Sequence, residues 1–107
     1  MSESVSVIGA GSWGTALAKL VADKGIPTCL WARDESVAQA INARHENTKY
    51  LAGITLPESL VATSDLAKAV SEATTIVWVV PTHGLRAVIQ SALPSIRPGT
   101  LHVSAIK

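Results

Sequence analysis

Short apolar, β-branched runs alternate along the chain with segments whose apolar residues recur every three or four positions, the pattern of a parallel sheet with crossover helices on its faces. Val5 to Ile8 reads as a first strand. A helix from about Ser12 to Lys24 is predicted next, with Ala16, Leu17, Leu20 and Val21 inward, Lys19 and Asp23 outward, and Gly25 ending it before Pro27. Thr28 to Ala32 forms a second strand, and Asp34 is placed to cap a helix from about Glu35 to His45. Asn47 to Pro57 is irregular. Leu60 to Thr63 reads as a short third strand, Ser64 as the cap of a helix through Ser71, and Thr74 to Val80 as a strongly β-branched fourth strand bounded by Pro81. Thr82 is expected to cap a last helix in which Leu85, Val88, Ile89, Ala92 and Leu93 share a face. Pro98-Gly99 then turns the chain into a fifth strand, Leu101 to Ala105.

Between the first strand and its helix stands Gly9-Ala10-Gly11-Ser12-Trp13-Gly14, a Gly-x-Gly-x-x-Gly turn in the setting that binds dinucleotides. Gly9 makes the tight turn, Gly11 lets the backbone approach a pyrophosphate, and Gly14 allows close packing of helix on sheet. The expected architecture is therefore α/β, a Rossmann-type doubly wound, mainly parallel sheet in the order 3-2-1-4-5, with its ligand crevice beyond the carboxyl ends of strands one and four.

With 107 residues there is room for one domain, residues 1–107, and a core of modest size. Nine basic residues against eight acidic ones leave a net charge of +1, so no broad field recruits nucleic acid or an anionic membrane, and specificity must be local. Neither a secretory leader nor a run near the roughly 20 apolar residues of a membrane span is present, and a cytoplasmic location is expected. The single cysteine, Cys29, cannot form an internal disulfide and suits a small buried side chain. His45 and His102 have no Cys or carboxylate at ligand spacing, so no metal site is expected.

At the end of the second strand, where an NAD-type turn carries an acid for the ribose hydroxyls about 20 residues past the glycines, this chain reads Ala32-Arg33. A guanidinium there suits a 2′-phosphate or stacks on adenine; a solvated loop charge is the plainer alternative. Asp34 offers either the acid or a helix cap. Ser12 is placed to cap the helix and offer its hydroxyl to a phosphate oxygen, and Trp13 to lie over the crevice. Tyr50 is read equally as a cover for the adenine side or as packing. His83 and Thr82, after the fourth strand, are weaker candidates, and Trp31 and Trp78 read as core.

Val7-Ile8-Gly9-Ala10-Gly11-Ser12-Trp13-Gly14-Thr15-Ala16-Leu17-Ala18, Leu30-Trp31-Ala32-Arg33, Asn47, Tyr50-Leu51, Gly53-Ile54, Leu56-Pro57, Val80-Pro81-Thr82, Leu85-Arg86 and Ser104-Ala105-Ile106-Lys107 together resemble the bacterial-type NAD(P)-dependent glycerol-3-phosphate dehydrogenases over essentially the whole chain. The resemblance implies hydride transfer between sn-glycerol 3-phosphate and dihydroxyacetone phosphate with NADP or NAD, for glycerophospholipid synthesis, in a cytoplasmic enzyme that is a homodimer. Position by position it implies that Ser12 and Trp13 meet the cofactor and that Lys107 touches cofactor and substrate, while Arg33 and Tyr50 stand as cofactor candidates on the readings above. It also places the acid/base lysine in an all-helical domain beyond this sequence, so the chain is expected to be truncated and to bind cofactor without turning over substrate. A dinucleotide-sensing module without catalysis, or the cofactor domain of a hydroxy-acid or sugar-acid dehydrogenase, are the alternatives that share the glycine turn.

Overall fold

A computed structural model describes residues 3–105. Five four-residue strands, β1 (Val5–Ile8), β2 (Thr28–Trp31), β3 (Leu60–Thr63), β4 (Thr75–Trp78) and β5 (Leu101–Ser104), pair in parallel in the order β3-β2-β1-β4-β5. All are joined by crossovers, since parallel neighbours cannot be linked by a tight hairpin. Helices α1 (Ser12–Asp23) and α2 (Glu35–Arg44) follow β1 and β2; α3 (Leu66–Ser71) and α4 (Thr82–Ala92) follow β3 and β4.

Alternation along the strands divides the core in two. Val5 and Val7 of β1, with Leu30 of β2, pack beneath Ala18 and Ala22 of α1 and Val37 and Ile41 of α2. Ile8, Trp31, Ile76 and Trp78 point to the opposite face, against Ala69 and Val70 of α3 and Val88 and Ala92 of α4. Both indoles predicted for the core are there, and each satisfies its N–H: Trp31 Nε1 donates to Ser64 O (3.0 Å) and Trp78 Nε1 to His102 Nδ1 (3.0 Å).

Several local expectations are corrected. The buried face of α1 is Gly14, Thr15, Ala18 and Ala22, whereas Leu20 is 56% exposed and Ala16 and Leu17 are only half-buried; Val21, half-buried, does pack against the core as expected. Small residues face the sheet because the helix sits too close to admit leucines. Leu93 leaves α4 for a 3-10 turn (Leu93–Ser95) and is exposed. The predicted side-chain caps Ser12, Ser64 and Thr82 give way to Gly11, Asp65 and Pro81, of which only Asp65 caps with its side chain, accepting from Lys68 N. Asp34 does cap α2, its carboxylate accepting from Ser36 N (2.9 Å) and Oγ (2.7 Å). α2 ends one residue early because His45 turns left-handed (φ 55°), and β4 is shorter than its β-branched run.

Cys29 is half-buried rather than buried, and desolvation, with Glu72 adding to it, pushes its thiol up to about 11. From an ordinary 9.0 this lowers the thiolate population near neutrality about a hundredfold. Alkylation by iodoacetamide at pH 8 is expected to run slower than for free cysteine by about that factor, and a rate within threefold of free cysteine would show a more open site.

Candidate dinucleotide-binding site

β1 and β4 are neighbours, yet the helices that follow them lie on opposite faces of the sheet, so the chain parts at their carboxyl ends. That is where a doubly wound sheet opens a crevice. A cavity of about 730 Å³ lies there, bounded by the glycine turn (9–14), the end of β2 (31–34), the stretch after β4 (79–84), and Lys49 and Tyr50 from the irregular loop. Its size falls in the range of small-molecule sites, roughly 300–1,000 Å³.

The three glycines differ in why they are glycine. Gly9 has φ 129°, a conformation L side chains rarely adopt, and a Cβ there would lie 3.0 Å from the Val79 carbonyl carbon. On Gly14, a Cβ would fall 1.8 Å from Gly9 O, so the helix could not rest on the turn. Gly11 is unlike both: its φ is −71°, and a Cβ would meet no protein atom within 4 Å. Neither backbone conformation nor internal packing calls for glycine at Gly11, so the space it keeps clear is crevice space. α1 starts there with no side-chain cap, and α4 likewise starts at the crevice with no side-chain cap. Uncapped helix N-termini present N–H groups and a positive dipole end, the donor set a pyrophosphate requires. The cradle therefore fits a dinucleotide.

Ser12 is exposed on the first turn of α1, and its hydroxyl is not engaged in capping. Trp13, 41% exposed, lines the cavity and donates its indole N–H to Ala105 O (2.7 Å), tying the glycine turn to the end of β5. Arg33 leaves the end of β2 exposed, and its Nη2 reaches to 3.8 Å from the point a Cβ on Gly84 would occupy, so the guanidinium crosses the cavity mouth toward α4. Asp34 is already engaged: besides capping α2 it faces Lys49 Nζ at 3.6 Å, and the hydrogen bonds from Ser36 hold its carboxyl below the usual carboxylate range. Tyr50 lines the cavity, 46% exposed, with Lys49 Nζ 5.3 Å from its ring centroid. His83 borders the cavity as well, while Thr82 does not. Lys107 lies outside the described residues.

Two residues here carry no role in the sequence reading, although Asn47 is among those that bear the family resemblance. Lys49 adds a second cation beside Arg33, and Asn47 is buried (1% exposed) beneath the turn, donating to Ala10 O and Thr15 Oγ1. Among the described residues no group of three or more His, Cys, Asp or Glu could hold a metal ion, and no helix is long and apolar enough to cross a membrane.

Residues 4–107 match the model of the NAD-dependent glycerol-3-phosphate dehydrogenase N-terminus. The chain belongs to this family. A glycerol-3-phosphate dehydrogenase [NAD(P)+] of Stenotrophomonas maltophilia is 52% identical over 97 residues, covering 91% of this chain and 28% of that protein. The chain thus spans less than a third of the length of this curated relative. Among solved structures, the glycerol-3-phosphate dehydrogenase of Saccharomyces cerevisiae superposes with a TM-score of 0.93 at 35% identity, over all of this chain and 34% of that one. That of Coxiella burnetii gives 0.92 at 34% identity, over 99% and 33%. The match does not favour the sensing module or the other dehydrogenases that the glycine turn alone left open.

Proposed function

We propose that this chain is the cofactor domain of an oxidoreductase that interconverts sn-glycerol 3-phosphate and dihydroxyacetone phosphate with NADP or NAD, acting in the cytoplasm as a homodimer and serving glycerophospholipid synthesis. The observation that carries the reading is Gly11, where a side chain would stand in the cavity and touch no protein, beside an uncapped helix start. When bound, the nicotinamide dinucleotide supplies the hydride acceptor or donor. The chain's own work is to bind and orient. Gly9 and Gly14 shape the turn, and Gly11 admits the pyrophosphate. The α1 N-terminus, with the Ser12 hydroxyl, offsets its charge. Trp13 and Tyr50 wall the cavity, and Arg33 closes the adenosine end. Lys107 is proposed to meet cofactor and substrate.

Arg33 decides between coenzymes in this reading. Asp34 Oδ1 is taken by Ser36 and Oδ2 faces Lys49, which offsets its charge, while the Arg33 guanidinium at the same edge of the cavity offers positive charge to a 2′-phosphate. Charge-assisted hydrogen bonds contribute roughly 1.5–3 kcal/mol. Arg33→Ala is therefore expected to weaken NADPH about ten- to a hundredfold and NADH several-fold at most, measured by titration of tryptophan fluorescence. Equal losses for both coenzymes would assign Arg33 to adenine stacking instead.

A further inference from the structure

Asn47 stands in the loop between α2 and β3, remote in sequence from the glycine turn, yet its side chain is buried directly beneath it. Nδ2 donates to Ala10 O (2.9 Å) and to Thr15 Oγ1 (2.8 Å), and Oδ1 accepts from Tyr50 N (3.1 Å). The amide has one orientation only, because Ala10 O can only accept and Tyr50 N can only donate. Its backbone carbonyl also accepts from Leu51 N (2.8 Å), which closes the loop locally. One side chain thus joins the middle of the glycine turn, the first turn of α1 and the backbone that carries Tyr50 into the cavity.

We propose that Asn47 is a positioning residue for the dinucleotide site, holding the Ala10 carbonyl turned into the protein so that the turn offers N–H groups, and no carbonyl oxygen, to a pyrophosphate. Rotation of that peptide would direct a partial negative charge at the phosphates and withdraw a donor from them. The bond to Tyr50 N fixes the opposite wall with the same amide, so the pyrophosphate and adenosine ends of the cavity are set together. Burial makes the residue demanding, since a donor or acceptor left without a partner here is costly. The inference rests on the dinucleotide reading and adds to it a residue that touches no ligand.

The test is Asn47→Asp, with NADP+ as the probe and tryptophan fluorescence as the readout. An ionised aspartate sets a negative oxygen against Ala10 O; a protonated one donates to Ala10 O and accepts from Tyr50 N, restoring two of the three bonds. The Kd for NADP+, taken as a ratio to the unaltered chain, is expected to rise at least tenfold at pH 8 and to fall at least fivefold from that value by pH 6. The titratable groups nearby, His45, Glu46, Lys49 and Asp34, and the ligand's own phosphates are common to both proteins, so the ratio cancels them. Val70→Ala, buried in α3 on the other face of the sheet, serves as a control that loses stability without moving the Kd ratio. If the aspartate variant does not fold, Asn47→Ser keeps a single donor and is expected to raise the Kd at least fivefold. A ratio within twofold of unity at pH 8, or a deficit that pH does not relieve, overturns the proposal while the dinucleotide reading stands. No binding by the unaltered chain overturns both.

Discussion

Gly11→Val is expected to leave the chain folded and to abolish dinucleotide binding. The backbone there is already in a region open to any residue, with φ −71° and ψ −173°, and the added side chain would meet no protein atom near its Cβ. The folded state loses only the difference between glycine and valine as a helix cap, about 1 kcal/mol. Binding has no such tolerance. Valine occupies the approach a pyrophosphate needs, and losing two charge-assisted hydrogen bonds at roughly 1.5–3 kcal/mol each corresponds to at least a hundredfold in Kd. Thermal unfolding and a cofactor titration on the same sample separate the two effects. A folded variant that binds like the unaltered chain would show that the glycine turn does not receive the ligand.

Gly14→Ala is expected to do the reverse, destabilising the fold itself. Its Cβ would fall 1.8 Å from Gly9 O and 3.0 Å from Gly9 C, and those are backbone atoms of a turn already at φ 129°, so no side chain can swing aside. Either α1 lifts from the sheet, opening the contacts of Thr15 and Ala18, or the turn is rebuilt. Overpacking of this kind costs about 3 kcal/mol where the clash is with backbone. For a domain of this size that lowers the unfolding midpoint by about 10 °C or more. A midpoint within about 2 °C of the unaltered chain would mean that the helix is not seated on the turn as described.

Strand order and the location of the crevice are legible in the sequence, because a β-branched run ending in Gly-x-Gly-x-x-Gly, followed by alternating helix and strand patterns, leaves few topologies open. What failed was finer. The apolar periodicity of α1 puts Ala16, Leu17, Leu20 and Val21 inward, but Gly14 brings the helix so close that Thr15, Ala18 and Ala22 fill the interface and Leu20 is turned outward. The caps lie one residue away from Ser12, Ser64 and Thr82: Asp65 takes the position beside Ser64, while α1 and α4 start at Gly11 and Pro81 with no side-chain cap, because backbone geometry sets where a helix starts. Arg33, read from its place after the second strand, and Tyr50, read from the irregular loop as cover or packing, both line the crevice. The roles of Asn47 and Lys49 are not legible in the sequence, although Asn47 is among the residues that bear the resemblance, because they come from the loop folding back on the glycine turn, a long-range contact with no local periodicity. The one available signal was an Asn ahead of a short turn, which on its own marks many loops.

The central claim, that the turn from Gly9 to Gly14 holds a nicotinamide dinucleotide, is tested most directly by titrating the chain with NADPH while following the amide NMR signals of Gly9 to Thr15. Saturable shifts concentrated in that segment, in Arg33 and in Tyr50, together with a change in tryptophan fluorescence, are the predicted result. Unchanged amide signals and fluorescence at millimolar NADPH and NADH, in a folded sample, would contradict it.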